Sequence, residues 1–211
     1  MDLKEELFNK VLAGDAEGVE ALTAQGLEQG LSPGELLNQV LIAAMSEVGE
    51  RFERREFFVP EMLVAARAMK AGVKVLEPSL TPRDIKSLGT VVIGTVAGDL
   101  HDIGKNLVVM MLEGAGFKVI DLGVDVAPAK FVQAIREHSP RAIGMSALLT
   151  TTMLSMKSTL QALEEAGLRD KVIVMVGGAP MTQRFADDIG ADVYGRDANA
   201  AVRKVKEALA A

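Results

Sequence analysis

The chain has no cysteine and no tryptophan. Without cysteine there is no disulfide framework and no thiolate chemistry, which suits a reducing compartment, and a cytoplasmic location is expected. No run of about 18 or more residues is uninterruptedly apolar, so no transmembrane helix is expected. The opening residues, Met1-Asp2-Leu3-Lys4-Glu5-Glu6, are acidic and amphipathic. A secretory signal has a basic start and an apolar run instead. Positive charge is in deficit: Lys and Arg total 23 against 29 Asp and Glu, a formal charge of −6. The basic face of a nucleic-acid binder is missing. The short basic groups Arg54-Arg55 and Arg203-Lys204 alternate with acids and read as solvated helix faces. Dinucleotide and phosphate-loop chemistry are excluded too. The first strand ends Gly94-Thr95-Val96-Ala97-Gly98 with no Gly-x-Gly-x-x-Gly, and no phosphate-loop motif occurs. Aromatics are scarce, at one Tyr and seven Phe, which makes the cluster Phe52, Phe57 and Phe58 conspicuous.

What is present divides into two halves. With 211 residues, 49% of them hydrophobic, the chain can build one large or two small domains with ample core. Residues 1–80 carry helical spacing. Leu3, Leu7, Val11 and Leu12 form one apolar face. Asp15 caps a second helix expected to run to about Gln25 and to stop at Gly26. Ser32-Pro33 sets an N-cap and a first-turn proline before a long helix striped by Leu36, Leu37, Val40, Leu41, Ala44, Met45 and Val48. Pro60 opens a fourth helix with Met62, Leu63, Ala66, Met69, Val73 and Leu76 on its buried face. Short connections predict an antiparallel four-helix bundle. The proline-rich stretch from Pro78 to Asp84 marks a linker, taken as residues 78–88.

From Gly89 to the end the pattern alternates. Strands are predicted at 90–96, 117–122, 142–146, 172–176 and 192–194. Helices are predicted at 104–114, 128–138, 153–166, 181–189 and 199–210. Such alternation predicts a flavodoxin- or Rossmann-like, doubly wound five-stranded parallel sheet over residues 89–211, of order 2-1-3-4-5. The fold class is therefore α plus α/β.

Ligands of such sheets bind beyond the carboxyl ends of the strands, near the switch point between strands one and three. The unusual residues collect there: Asp99-Leu100-His101-Asp102-Ile103-Gly104, Ser146 to Thr152, Gly177-Gly178-Ala179-Pro180 and Gly195-Arg196-Asp197. His101 reads either as a loop histidine bonded to a neighbouring carbonyl or as a metal ligand whose second nitrogen is held by Asp99. No other ligand stands at a convincing spacing, and a single protein donor holds a bare zinc poorly. The remaining ligands would come from a cofactor, and a macrocycle supplies four. Gly177-Gly178 reads as a tight turn or as a surface free of side chains against which a bulky group lies flat. Ser146 and Thr150 to Thr152 read as helix caps or as ligand-bonding hydroxyls, one of them within reach of Asp99.

These residues resemble a known pattern. Asp99, His101 and Gly104, then Ser146 and Leu148, then Gly177 and Gly178, look like the cobalamin-binding module. The segments Met45 to Phe52 and Phe57 to Glu61 are similar to the helical cap of methionine synthase and of the small corrinoid proteins of methyltransferase systems. The resemblance covers essentially the whole chain. It implies a base-off cobalamin with His101 as lower axial cobalt ligand, and Asp99 hydrogen-bonded to that histidine. Thr152 stands where the family's His-Asp-Ser relay has its serine. The cofactor site is implied to include Asp102, Ile103, Gly104, Ser146, Leu148, Thr150, Gly177, Gly178 and Gly195. Phe52, Phe58 and Val59 would lie over the upper face, with Phe57 in the bundle core.

The function so implied is a corrinoid methyl carrier. Its cob(I)alamin takes a methyl group from a substrate through one methyltransferase and hands it, as methyl-Co(III), to a second that acts on tetrahydrofolate or a thiol. A reductive activase is a further implied partner, and the linker is the implied hinge for cap movement. Proton uptake at His101, favoured by ionised Asp99, is expected to accompany release of the ligand. Two other classes remain open: a cobalamin-responsive regulator, for which no signalling or DNA-binding segment is evident, and the small cobalamin subunit of a mutase, which usually lacks such a cap. A response-regulator-like fold without cofactor is the plainest alternative.

Overall fold

The computed structural model describes residues 2–81, 84 and 88–210. By its contacts the chain forms two compact units, Met1–Ser87 with Glu113–Gly116, and Leu88–Leu112 with Phe117–Ala211.

The first unit is helical: α1 (Leu3–Leu12), α2 (Ala16–Glu28), α3 (Pro33–Glu35), α4 (Ile42–Glu53) and α5 (Val59–Leu76). A π-helical stretch, Leu36–Leu41, joins α3 to α4, so the expected long helix is continuous. Its start follows the sequence, because Ser32 Oγ accepts the Glu35 amide at 3.1 Å and Pro33 opens the first turn. Asp15 likewise accepts the Gly18 amide at 2.9 Å and caps α2. One expectation fails. Gly26 does not end α2, which runs on to Glu28 and closes at Gly30, where φ is +85°. Gly26 is buried, and a Cβ there would lie 3.2 Å from Leu36, so its small size serves helix packing instead. Leu7, Val11, Val19, Leu36, Leu41, Met62 and Leu76 are fully buried. Each such side chain contributes about 2 kcal/mol through the area it removes from water. The expected linker begins in a 3-10 turn, Glu77–Ser79, and Thr81 donates its amide to Asp84 at 2.9 Å. Pro82, Arg83, Ile85, Lys86 and Ser87 of that linker lie outside the described residues.

The second unit is the doubly wound sheet. Its strands are β1 (Thr90–Thr95), β2 (Lys118–Asp121), β3 (Ala142–Ser146), β4 (Ile173–Gly177) and β5 (Val193–Gly195), all parallel in the order β2-β1-β3-β4-β5. Helices α6 (Ile103–Gly114), α7 (Pro128–His138), α8 (Leu154–Glu165), α9 (Gln183–Ile189) and α10 (Ala198–Ala210) connect and finish them. Val92, Val96, Ile143, Met145, Val174 and Val176 alternate onto one face of the sheet and pack with Phe131, Met156, Leu160 and Leu163. The order places the switch point between β1 and β3. No helix among the described residues is long and apolar enough to cross a membrane.

Candidate cofactor site

Strand register assembles the first part of the site. Thr95 pairs with Ser146, Ser146 with Gly177, and Gly177 with Gly195. Three residues singled out from separate stretches thus stand in one row at the carboxyl edge of β3, β4 and β5. Residues in register on parallel strands share a face. A Cβ at Gly177 would lie 3.2 Å from the Gly195 carbonyl oxygen and one at Gly195 would lie 2.6 Å from Ala201 of α10, so the two glycines allow close packing beside Ser146. Gly178 has a second reason to be glycine. Its φ is +139°, and a Cβ there would sit 1.8 Å from the Ala147 carbonyl oxygen.

The β1–α6 loop supplies the second part. Asp99 is fully buried, whereas the His101 side chain beside it is 52% exposed. Asp99 Oδ1 accepts from His101 Nδ1 at 2.8 Å and from the His101 amide at 3.1 Å. Its other oxygen, Oδ2, accepts from Thr152 Oγ1 at 2.6 Å, the Leu148 amide at 2.8 Å and the Leu149 amide at 3.3 Å. Burial works to raise the Asp99 pKa, but the donors from Thr152, His101 and Leu148 outweigh it and hold the carboxyl below the usual carboxylate range. An ionised Asp99 is acceptor-only, so Nδ1 of a neutral His101 is the donor and Nε2 keeps the free lone pair. The threonine that reaches Asp99 is Thr152. Thr150 is exposed in the same turn and stands apart from this network.

Around His101 the surface is apolar. Among the described residues of the α/β unit, seven large hydrophobic side chains are exposed, and six of them follow the carboxyl ends of β1, β2 or β3: Leu100, Ile103, Val124, Leu148, Leu149 and Leu154. Ile103 is 87% exposed. Gly104 lies in the first turn of α6, and a Cβ there would meet nothing within 4 Å. Asp102 accepts from Asn106 Nδ2 at 3.0 Å. No group of three or more His, Cys, Asp or Glu able to hold a metal occurs among the described residues, so His101 is a solitary donor.

Sequence reasoning missed several supporting groups. Thr95 is buried, and its hydroxyl donates to the His101 carbonyl at 2.9 Å. Ser155 Oγ donates to the Ala97 carbonyl at 3.0 Å. Lys105, only 2% exposed, bonds Asn106 Oδ1 at 2.7 Å and pairs with Asp121. A lysine buried in the apolar pattern of α6 was the one legible signal; the threonine and serine carry none, because their partners are backbone carbonyls.

In the helical unit, Phe58 is 61% exposed at the N-cap of α5, where Glu61 accepts its amide at 2.9 Å. Val59 and Val64 are also exposed, and so is Leu63, which was expected on the buried face of α5; Phe52 at the end of α4 is half-buried. Phe57, expected in the bundle core, is only half-buried, with the Arg51 guanidinium 5.3 Å from its ring centre.

Comparison with known proteins bears on both units. Residues 89–203 match a B12 binding domain family, and residues 3–77 match a second B12 binding domain family. A trimethylamine corrinoid protein of Methanosarcina barkeri is 49% identical over 98% of this chain and 98% of its own length. A dimethylamine corrinoid protein of the same organism is 46% identical over 99% of this chain and 98% of its own. The crystal structure of the methanol:cobalamin methyltransferase complex MtaBC from M. barkeri contains a chain that superposes with a TM-score of 0.90 at 30% identity, covering 99% of this chain and 80% of that one. With both halves matched and near-full-length relatives at almost half identity, the chain belongs to the B12-binding family of small corrinoid proteins that serve methyltransferase systems.

Proposed function

We propose that this protein carries methyl groups on a cobalamin held base-off by His101, and that methylamines are the donors its partner methyltransferase handles. Bound cobalamin supplies a cobalt that accepts a methyl group as a nucleophile and gives it up as an electrophile. The chain's own residues do the rest. His101 would hold the cobalt through Nε2, and Asp99 holds the ring by Nδ1 so that Nε2 is left as the acceptor. Thr152 and the Leu148 amide hold Asp99 in turn. The apolar surface of Leu100, Ile103, Leu148 and Leu149 suits a flat macrocycle and would keep water from it.

The fit is supported by an absent side chain. At Gly104 the chain's own packing leaves open space, although alanine in that helical turn would be favoured by about 1 kcal/mol. A glycine there suits close approach of a large group beside His101. The cofactor's nucleotide tail would enter beside Ser146, Gly177, Gly178 and Gly195, which share the carboxyl edge of β3, β4 and β5. Phe52, Phe58 and Val59 would shield the upper face, with the linker at 78–88 as the hinge between domains 1–80 and 89–211. A second methyltransferase, acting on tetrahydrofolate or a thiol, would receive the methyl group, and a reductive activase would rescue oxidised cobalt. The protein would work in the cytoplasm.

The observation that carries this reading is the buried, five-donor Asp99 aimed at an exposed histidine. In His101→Ala with cobalamin bound, the visible and EPR signature of an axial imidazole nitrogen should vanish while some cofactor stays bound. An unchanged signature would remove His101 as ligand. The donor class is tested separately, by offering trimethylamine, dimethylamine and methanol methyltransferases; methylation with the methanol enzyme alone would overturn the methylamine assignment.

A further inference from the structure

We infer that Asp125 is a positioning residue for His101, acting through the backbone that carries Asp99; the inference rests on His101 being the cobalt ligand. Asp125 lies between β2 and α7, and its φ is +52°. Non-glycine residues are strained in that left-handed region, and such strain persists only where the surroundings enforce it. Here the surroundings are the loop of the site. Asp125 Oδ1 accepts the Gly98 amide at 2.7 Å, and the Asp125 amide donates to the Asp99 carbonyl at 3.0 Å. The flanking chain extends the same grip. The Thr95 amide donates to Gly123 O at 3.0 Å, the Val126 amide donates to Thr95 O at 2.9 Å, and Val96 and Val126 form a parallel bridge. Asp121, which pairs with Lys105, also accepts the Gly123 amide at 2.9 Å and so anchors the start of this segment.

Two braces therefore hold Asp99 from different sides. Leu148, Leu149 and Thr152 hold its carboxylate, and Asp125 holds its main chain and that of the preceding residue. The Asp99 carboxylate meets His101 at both Nδ1 and the amide. Any shift in the Gly98–Asp99 backbone therefore passes directly to the ring. The first brace comes from the β3 loop and belongs to the relay; the second comes from the β2 loop, where Asp125 bonds main-chain atoms of Gly98 and Asp99.

The test uses the full-length protein in three variants. Asp125→Gly removes the acceptor while accommodating the left-handed backbone, Asp125→Asn keeps both, and His101→Ala removes the ligand. In the protein without cofactor, the Gly98 amide should exchange with solvent about tenfold faster in Asp125→Gly, the loss expected for one charge-assisted hydrogen bond, and near the unaltered rate in Asp125→Asn. With cobalamin bound, Asp125→Gly should show a smaller imidazole-ligated fraction in its visible spectrum, restored in Asp125→Asn. Unaltered exchange and an unaltered ligated fraction in Asp125→Gly would overturn the assignment, as would equal loss in Asp125→Asn. An imidazole signature surviving in His101→Ala would instead overturn the ligand reading, and with it the effect on His101, whatever the exchange rates show of the brace.

Discussion

The two units both expose apolar side chains, but they differ in what lies beneath. In the helical unit, Phe58, Val59, Leu63 and Val64 emerge from one end of α5, and the charged pairs sit at the surface: Lys10 with Asp15, Arg51 with Glu47, and Lys4 with Glu35. In the α/β unit, Leu100, Ile103, Leu148 and Leu149 surround a carboxylate with no exposure at all. Shielding a reactive surface needs only apolar bulk, which tolerates small displacements. Holding one nitrogen lone pair on an axis needs directional bonds in a place where water does not compete. The difference shows why the polar network belongs to one unit alone.

The comparison can be broken most forcefully at Gly178. Gly178→Ala places a methyl group into the Ala147 carbonyl, and a loss of about 3 kcal/mol is expected in thermal or denaturant unfolding of the α/β unit. The variant should bind cobalamin weakly even where it folds. Next in size is Thr152→Val, which keeps the shape of the side chain but deprives Asp99 of its closest donor. A cost of about 1–2 kcal/mol is expected, with Thr152→Ser recovering most of it, as read by unfolding and by the imidazole-ligated fraction. A valine variant as stable as threonine would remove the contrast between the units.

Phe58→Ala should move stability by no more than about 0.5 kcal/mol, since the ring is largely in solvent. Its effect is expected in shielding instead, as faster oxidation of the reduced cofactor in air. The smallest effect belongs to Asp15. The Lys10 ammonium and the Gly18 amide hold its carboxyl below the usual range against the opposing pull of desolvation. A depressed folded pKa stabilises fully above the unfolded value, about 3.9, and the gain is lost as pH falls through the folded value. The stability difference between the unaltered protein and Asp15→Asn should therefore be constant between pH 7 and 5 and shrink below about pH 4. A difference that shrank on raising the pH would contradict the sign.

Much of this was legible from residue order. Helices begin where Ser32, Pro33 and Asp15 mark them, and the strand order is the one expected for a flavodoxin-like sheet. Gly26 misled, because a glycine that makes room for Leu36 and one that ends a helix look alike in sequence. The π-helical stretch at Leu36–Leu41 left no trace, since its apolar positions fit an α-helix equally well. Asp125 was invisible because its strain and its bonds depend on a partner 27 residues away, at Gly98.

Residue order by itself determined the two-part architecture and the neighbouring Asp99 and His101, because helical and strand periodicities and a two-residue spacing are local properties of the chain. Only the tertiary structure decided that Thr152 rather than Thr150 reaches the carboxylate, that Ser146, Gly177 and Gly195 share one row, and that the β2 loop braces the site. Those choices join residues far apart in the chain, and they are set by parallel strand register and by which hydroxyl a turn directs inward. No local preference encodes either.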